Sequence, residues 1–85
     1  MPLYLTEADV ASLLTPDDAL EAVEGCFRRL AAGEVENRPR VRQRLGDGGA
    51  FAVMSAVDRG LGFAGLKSYA WLPNGTPFVV CLFDT

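Results

Sequence analysis

The residues of this chain best suited to act on a ligand are one lysine and three arginines. Lys67 sits in GLGFAGLKSYAW, and on a two-residue period it shares a face with Phe63, Gly65, Tyr69 and Trp71. An ammonium in such company can serve as proton donor, base or carboxylate partner, and the glycine at 65 leaves room for a ligand. A plainer reading sets Lys67 on a solvated face among exposed aromatics. Arg40, Arg42 and Arg44 alternate with Val41, Gln43 and Leu45, so a strand over 39–45 projects three guanidinium groups from one side. A guanidinium fork holds a carboxylate through two parallel hydrogen bonds, whereas the plainer reading is a charged strand face that discourages edge pairing. An arginine clamp and a lysine on neighbouring strands form the smallest set that could handle an amino or keto acid.

The same stretch contains G-x-G-x-x-G at Gly60, Gly62 and Gly65. A dinucleotide fingerprint needs a strand before it and a helix opening inside it, because the pyrophosphate rests on the free N–H groups of that helix. Leu66 to Trp71 alternates like a strand instead, and no acidic residue about 20 positions on is placed to take the ribose hydroxyls. These glycines therefore read as a turn and the start of a strand. The chain has no His, and Cys26 and Cys81 are its only cysteines. That excludes Cys/His zinc sites, His general bases and His-assisted nucleophiles.

The elements that must position these residues are legible from caps, periods and turns. Thr6-Glu7-Ala8-Asp9 has the form of a helix start, and a short helix to about Leu14 follows. Thr15-Pro16-Asp17-Asp18 repeats the device with proline at the first helical position, and this second helix should end at Ala32 before Gly33. Leu20, Val23, Phe27, Leu30 and Ala31 fall on one face of it, which is expected to cover something apolar. Gly25 in its middle implies close approach of a neighbouring element, and Cys26 reads as a core thiol. After Gly33 the period changes to 2, giving strands at 39–45, 50–57, 62–71 and 77–83. Turns at Gly46-Asp47-Gly48-Gly49, Asp58-Arg59-Gly60 and Pro73-Asn74-Gly75-Thr76 join them into an antiparallel meander. The expected class is α+β, two N-terminal helices followed by a mostly antiparallel sheet of about four strands, in one unit spanning 1–85.

Composition bounds the partners. With 49% hydrophobic and 22% charged residues the chain reads as globular, and its net charge of −3 disfavours nucleic acid or an anionic membrane. Six of the eight basic residues lie between Arg28 and Arg44, against that acidic background. No secretory leader or membrane span is apparent, so a cytoplasmic setting is the default. A domain of 85 residues hides only about 60–65% of its unfolded surface, and self-association would help it.

The order LYLTEADV, LAAGEVENRPR, FAVMSA, GLGFAGLKSYAW, FVVCLFDT resembles the N-terminal region of the ornithine cyclodeaminase/mu-crystallin family over essentially the whole chain. The resemblance implies a homodimeric two-domain protein whose first part supplies the substrate pocket and dimer contact, while a following Rossmann domain binds NAD(P). It places the substrate-carboxylate arginine on Arg40 and the lysine beside the reacting carbon on Lys67. Arg42 is a lesser candidate, and Met54, Tyr69 and Trp71 are candidate pocket walls. No Rossmann domain is expected within these residues, so no cofactor is expected in this chain, and NAD(P) only if such a domain follows. The domain 1–85 then reads as incomplete and catalytically silent alone, FVVCLFDT having the look of a cut through a domain. The alternative is a stand-alone binding or oligomeric assembly module that kept the fold and lost the chemistry.

Overall fold

A computed structural model describes residues 2–46 and 48–85. Helix α1 spans Glu7–Leu13 and helix α2 Pro16–Ala31. Both begin with a reciprocal cap. The Thr6 hydroxyl accepts from the Asp9 N–H at 3.2 Å while the Thr6 N–H donates to the Asp9 carboxylate at 2.8 Å. Thr15 and Asp18 repeat the exchange at 3.1 and 3.2 Å, with Pro16 entering where no intrahelical donor is lost. α2 stops as expected: Gly33 adopts φ +79° and donates to the Leu30 carbonyl at 3.1 Å.

Five strands form one antiparallel sheet: β1 (Val35–Asn37), β2 (Val41–Arg44), β3 (Ala50–Asp58), β4 (Phe63–Trp71) and β5 (Phe78–Asp84). β2 to β5 make the expected meander, and the short β1 is an addition to it. β1 and β2 share one edge of β3. Along that edge Asn37 pairs with Ala56 and Val41 with Val53, so residues 38–40 span the room that only Met54 and Ser55 take on β3. The extra residue lies at Arg38-Pro39-Arg40, where proline has no N–H for a ladder, and the connection is a bulge that separates two short strands. The expected strand over 39–45 therefore begins at Val41, and Arg40 precedes it.

Paired residues share a face, which sorts the side chains. One face carries Val35, Asn37, Arg42, Arg44, Ala52, Met54, Asp58, Phe63, Gly65, Lys67, Tyr69, Trp71, Phe78, Val80 and Leu82. α2 lies over one end of it, where Arg29 Nε donates to Asp58 Oδ2 at 2.7 Å and Cys26 faces Phe63, Gly65 and Leu82 across a groove. The opposite face carries Val41, Phe51, Val57, Val79 and Phe83, all exposed, and neither helix packs on it.

Two expectations for α2 need correction. Its apolar stripe covers nothing among the described residues, since Leu20 is 69% and Phe27 64% exposed, while α2 meets the sheet through its Cys26 and Arg29 side. Gly25 marks no close approach of another element. A Cβ there would meet only the Arg29 guanidinium, at 3.1 Å. Cys26 is half-buried rather than a core thiol, because the groove beside it is open.

The chain is spread out. Ala52 is the one fully buried hydrophobic side chain among the described residues. The radius of gyration is 15.0 Å, against about 12 Å for a compact chain of this length. The accessible surface of 7098 Å² exceeds by roughly 2,200 Å² the value scaled for a self-contained 9.1 kDa protein.

Candidate functional site

Lys67 stands in the middle of β4 with Met54 of β3 on one side and Val80 of β5 on the other. Its side chain is exposed, as the plainer reading had it, yet it is not adrift in solvent. The ammonium lies 5.4 Å from the centroid of the Tyr69 ring and 6.0 Å from that of Phe78. Tyr69 and Phe78 are themselves cross-strand partners, so two adjoining rings support one cation. Its Nζ makes no hydrogen bond or ion pair among the described residues. It is held in place and open to an anion.

The arginines reach this face by register. Arg42 lies opposite Ala52, which in turn lies opposite Tyr69, and Arg44 stands in the same relation to Ala50 and Trp71. Small alanines thus stand between the arginines and the aromatic residues across three strands. Arg40 immediately precedes β2, whose first residue, Val41, pairs with Val53, next to Met54 in the strand that pairs with Lys67. Adjacent strands lie about 4.8 Å apart, so Lys67 and Arg40, next to the start of β2, stand two strand spacings apart across β3, about 10 Å. Side chains as long as theirs span that distance around a small acid. Arg40, Arg42 and Arg44 are exposed and make no ion pair among the described residues, whereas Arg38 is taken up by Glu36 at 2.8 Å.

Beyond Lys67 the face continues as a groove of about 320 Å³, floored by Met54, Ala56 and Gly65 and walled by Cys26, Phe63 and Leu82. Asp58 closes its far end. Both its carboxylate oxygens are engaged, Oδ2 by Arg29 and Oδ1 by the Leu61 N–H at 2.9 Å. Partial burial pushes the Asp58 carboxyl up, but the Arg29 and Leu61 hydrogen bonds and the guanidinium charge outweigh it and hold the group below its ordinary value.

The glycines at 60, 62 and 65 do what their surroundings demand. Gly62 closes the β3–β4 turn at φ +81° and donates to the Asp58 carbonyl at 2.9 Å, a Cβ on Gly60 would collide with the Glu34 carboxylate, and Gly65 lies inside β4. A strand, not a helix, follows them, so this stretch offers no helix N-terminus to a pyrophosphate. Of the first turn, Asp47 lies outside the described residues. Sequence reasoning missed Phe78, Val80 and Leu82. The signal for Phe78 was the tight turn around Pro73-Asn74, whose Leu72–Gly75 bridge sets Phe78 opposite Tyr69.

Comparison with known proteins agrees with the fold and its motifs. The family model described as the ornithine cyclodeaminase/mu-crystallin family matches residues 2–80. The chain is 33% identical to an iminosuccinate reductase of Paracoccus denitrificans, over 85% of this chain and 23% of the relative. It is 36% identical to an alanine dehydrogenase of Archaeoglobus fulgidus, over 94% of this chain and 25% of the relative. Among solved structures, a probable ornithine cyclodeaminase from Bordetella pertussis superposes with a TM-score of 0.85 at 31% identity, covering 92% of this chain and 25% of that one. The Paracoccus iminosuccinate reductase in complex with NAD+ does so with a TM-score of 0.85 at 30% identity, covering 92% and 27%. The chain thus spans about a quarter of the length of these relatives. With the match running over residues 2–80, this chain belongs to the ornithine cyclodeaminase/mu-crystallin family.

Proposed function

We propose that these residues form the substrate-binding and dimer-forming part of an NAD(P)-dependent oxidoreductase or deaminase acting on a small amino or imino/keto acid. The observation that carries the reading is Lys67, paired with Met54 and with its ammonium seated on two rings, two strands from the start of β2 that Arg40 precedes. Arg40 takes the substrate carboxylate, and Lys67 lies beside the reacting carbon, where it holds charge or a proton. Arg42 gives secondary support to the carboxylate, and Met54, Tyr69 and Trp71 bound the space. Alone, the chain is catalytically silent. Its one glycine match folds as turn and strand, so a nicotinamide dinucleotide does not fit there, and NAD(P) would be held by polypeptide outside residues 1–85. The partner in assembly is a second copy, forming a homodimer or higher oligomer.

In the complete gene product, Arg40→Ala should abolish binding of a small amino or keto acid, measured by calorimetry; unchanged affinity would sink the role given to Arg40. The surplus of exposed surface favours a second reading, a binding or assembly module without chemistry. A change in NAD(P)H fluorescence on adding the complete product supports the enzyme, and its absence the module.

A further inference from the structure

Resting on the roles given above to Arg40 and Lys67, we infer that the acid bound here carries an uncharged, apolar side chain. That side chain lies in the groove running from Lys67 past Gly65 to Leu82 and Cys26. Among the groove's described lining residues Lys67 is the only cation and Asp58 the only anion. With the substrate's reacting carbon at Lys67, a substituent pointing along the groove meets Gly65, Leu82, Phe63 and the Cys26 thiol. The floor is open because residue 65 is glycine. A Cβ there would stand 3.3 Å from Leu82 Cδ1 and fill the groove floor beside it.

A second carboxylate on the side chain would find no cation beyond Lys67, only the neutral Asn37 amide and Ser55 hydroxyl. Asp58 lies ahead of it, already bound to Arg29 at 2.7 Å and to the Leu61 N–H, and adds repulsion. A cationic side chain fares little better, since the Asp58 charge is matched by Arg29. A charge desolvated without a partner costs more than hydrocarbon contact returns, so the groove selects against both. Of the acids in the relatives' names, the inference sets this chain nearer the monocarboxylate alanine than iminosuccinate.

The test compares 2-oxopentanoate with 2-oxoglutarate, equal in carbon number and differing by a terminal methyl against a carboxylate, by titration calorimetry of the complete gene product. The expected result is binding of 2-oxopentanoate tighter by about tenfold or more, lost in Lys67→Met. Leu82→Lys, at a side chain 66% exposed and so tolerant of change, should narrow or reverse the preference by placing a cation in the groove. Equal or tighter binding of 2-oxoglutarate that still depends on Lys67 overturns the groove assignment and leaves the Arg40 and Lys67 roles standing. An unaltered preference in Leu82→Lys does the same. Binding that ignores Lys67→Met, or no binding of either acid, removes those roles and this inference together.

Discussion

Lys67 has three sources of restraint, and only one of them is near it in sequence. Tyr69 is two residues away on the same face, while Phe78 and Val80 arrive on β5 through a tight turn. A cation over rings in an exposed setting gains about 0.5–1 kcal/mol from each good contact. Phe78→Leu should therefore weaken binding of the acid about two- to fivefold through a less ordered ammonium, with Phe78→Tyr restoring it. Calorimetry on both variants checks this, and an unchanged affinity in Phe78→Leu would show that the ring plays no part in positioning. Period-2 alternation was enough to put Lys67 with Phe63, Gly65, Tyr69 and Trp71. It could not count the register between strands, so Phe78, Leu82 and the alanines opposite Arg42 and Arg44 stayed out of sight. Alternation likewise set Arg42 and Arg44 on one side, and only the ladder with β3 revealed that this is the side of Lys67.

At the scale of elements, the helices and the meander were legible because their signals are local: two threonine caps, proline at the first position of α2, turn residues at each reversal. β1 was not, since three residues ending before a proline carry too little periodicity to announce a strand. The amphipathic pattern of α2 was read correctly and its consequence was not, because periodicity says which side is apolar and nothing about which side meets the sheet. The attachment is instead polar. Arg29 joins α2 to Asp58 at the end of β3, and the Glu34 N–H and Arg59 N–H bonds to the Arg29 and Glu34 carbonyls, at 2.9 and 2.8 Å, tie the same corner. Because the Asp58 carboxyl is held below its unfolded value, its contribution is fully present above that value, about 3.9, and is lost as pH falls through the lower folded value. Asp58→Asn should lower the urea midpoint at neutral pH and flatten its fall below about pH 4. An acid limb identical to that of the unaltered protein would show that this corner does not govern it.

For the whole molecule, the governing quantity is uncovered surface. A surplus of roughly 2,200 Å² is on the scale that obligate interfaces bury, and it is distributed over the α2 stripe and the sheet face opposite α2. One buried alanine does little to offset the entropy of ordering 85 residues, which is why the proposed assembly is expected to carry much of the stability. Sedimentation at micromolar concentration should give a mass above the 9.1 kDa of one chain, with a Tm that rises with concentration. A monomer with a concentration-independent Tm would contradict the proposed assembly. That a domain this short hides little of its surface was legible in the length alone; which surfaces stay exposed was not, because that depends on how the layers stack.

The bulge at Arg38-Pro39-Arg40 sets the handedness of the charge. On β1 the odd-numbered residues share the face of Lys67, and on β2 the even-numbered ones do. The extra residue between them works as a frameshift in space. Were the same three residues to run on in the β1 register without a bulge, Arg42 would pair with Phe51 on the far side of the sheet, and Val41 and Gln43 would take the places opposite the alanines. The bulge in a three-residue link thus decides which face of the sheet carries Arg42 and Arg44, as surely as the arginines themselves.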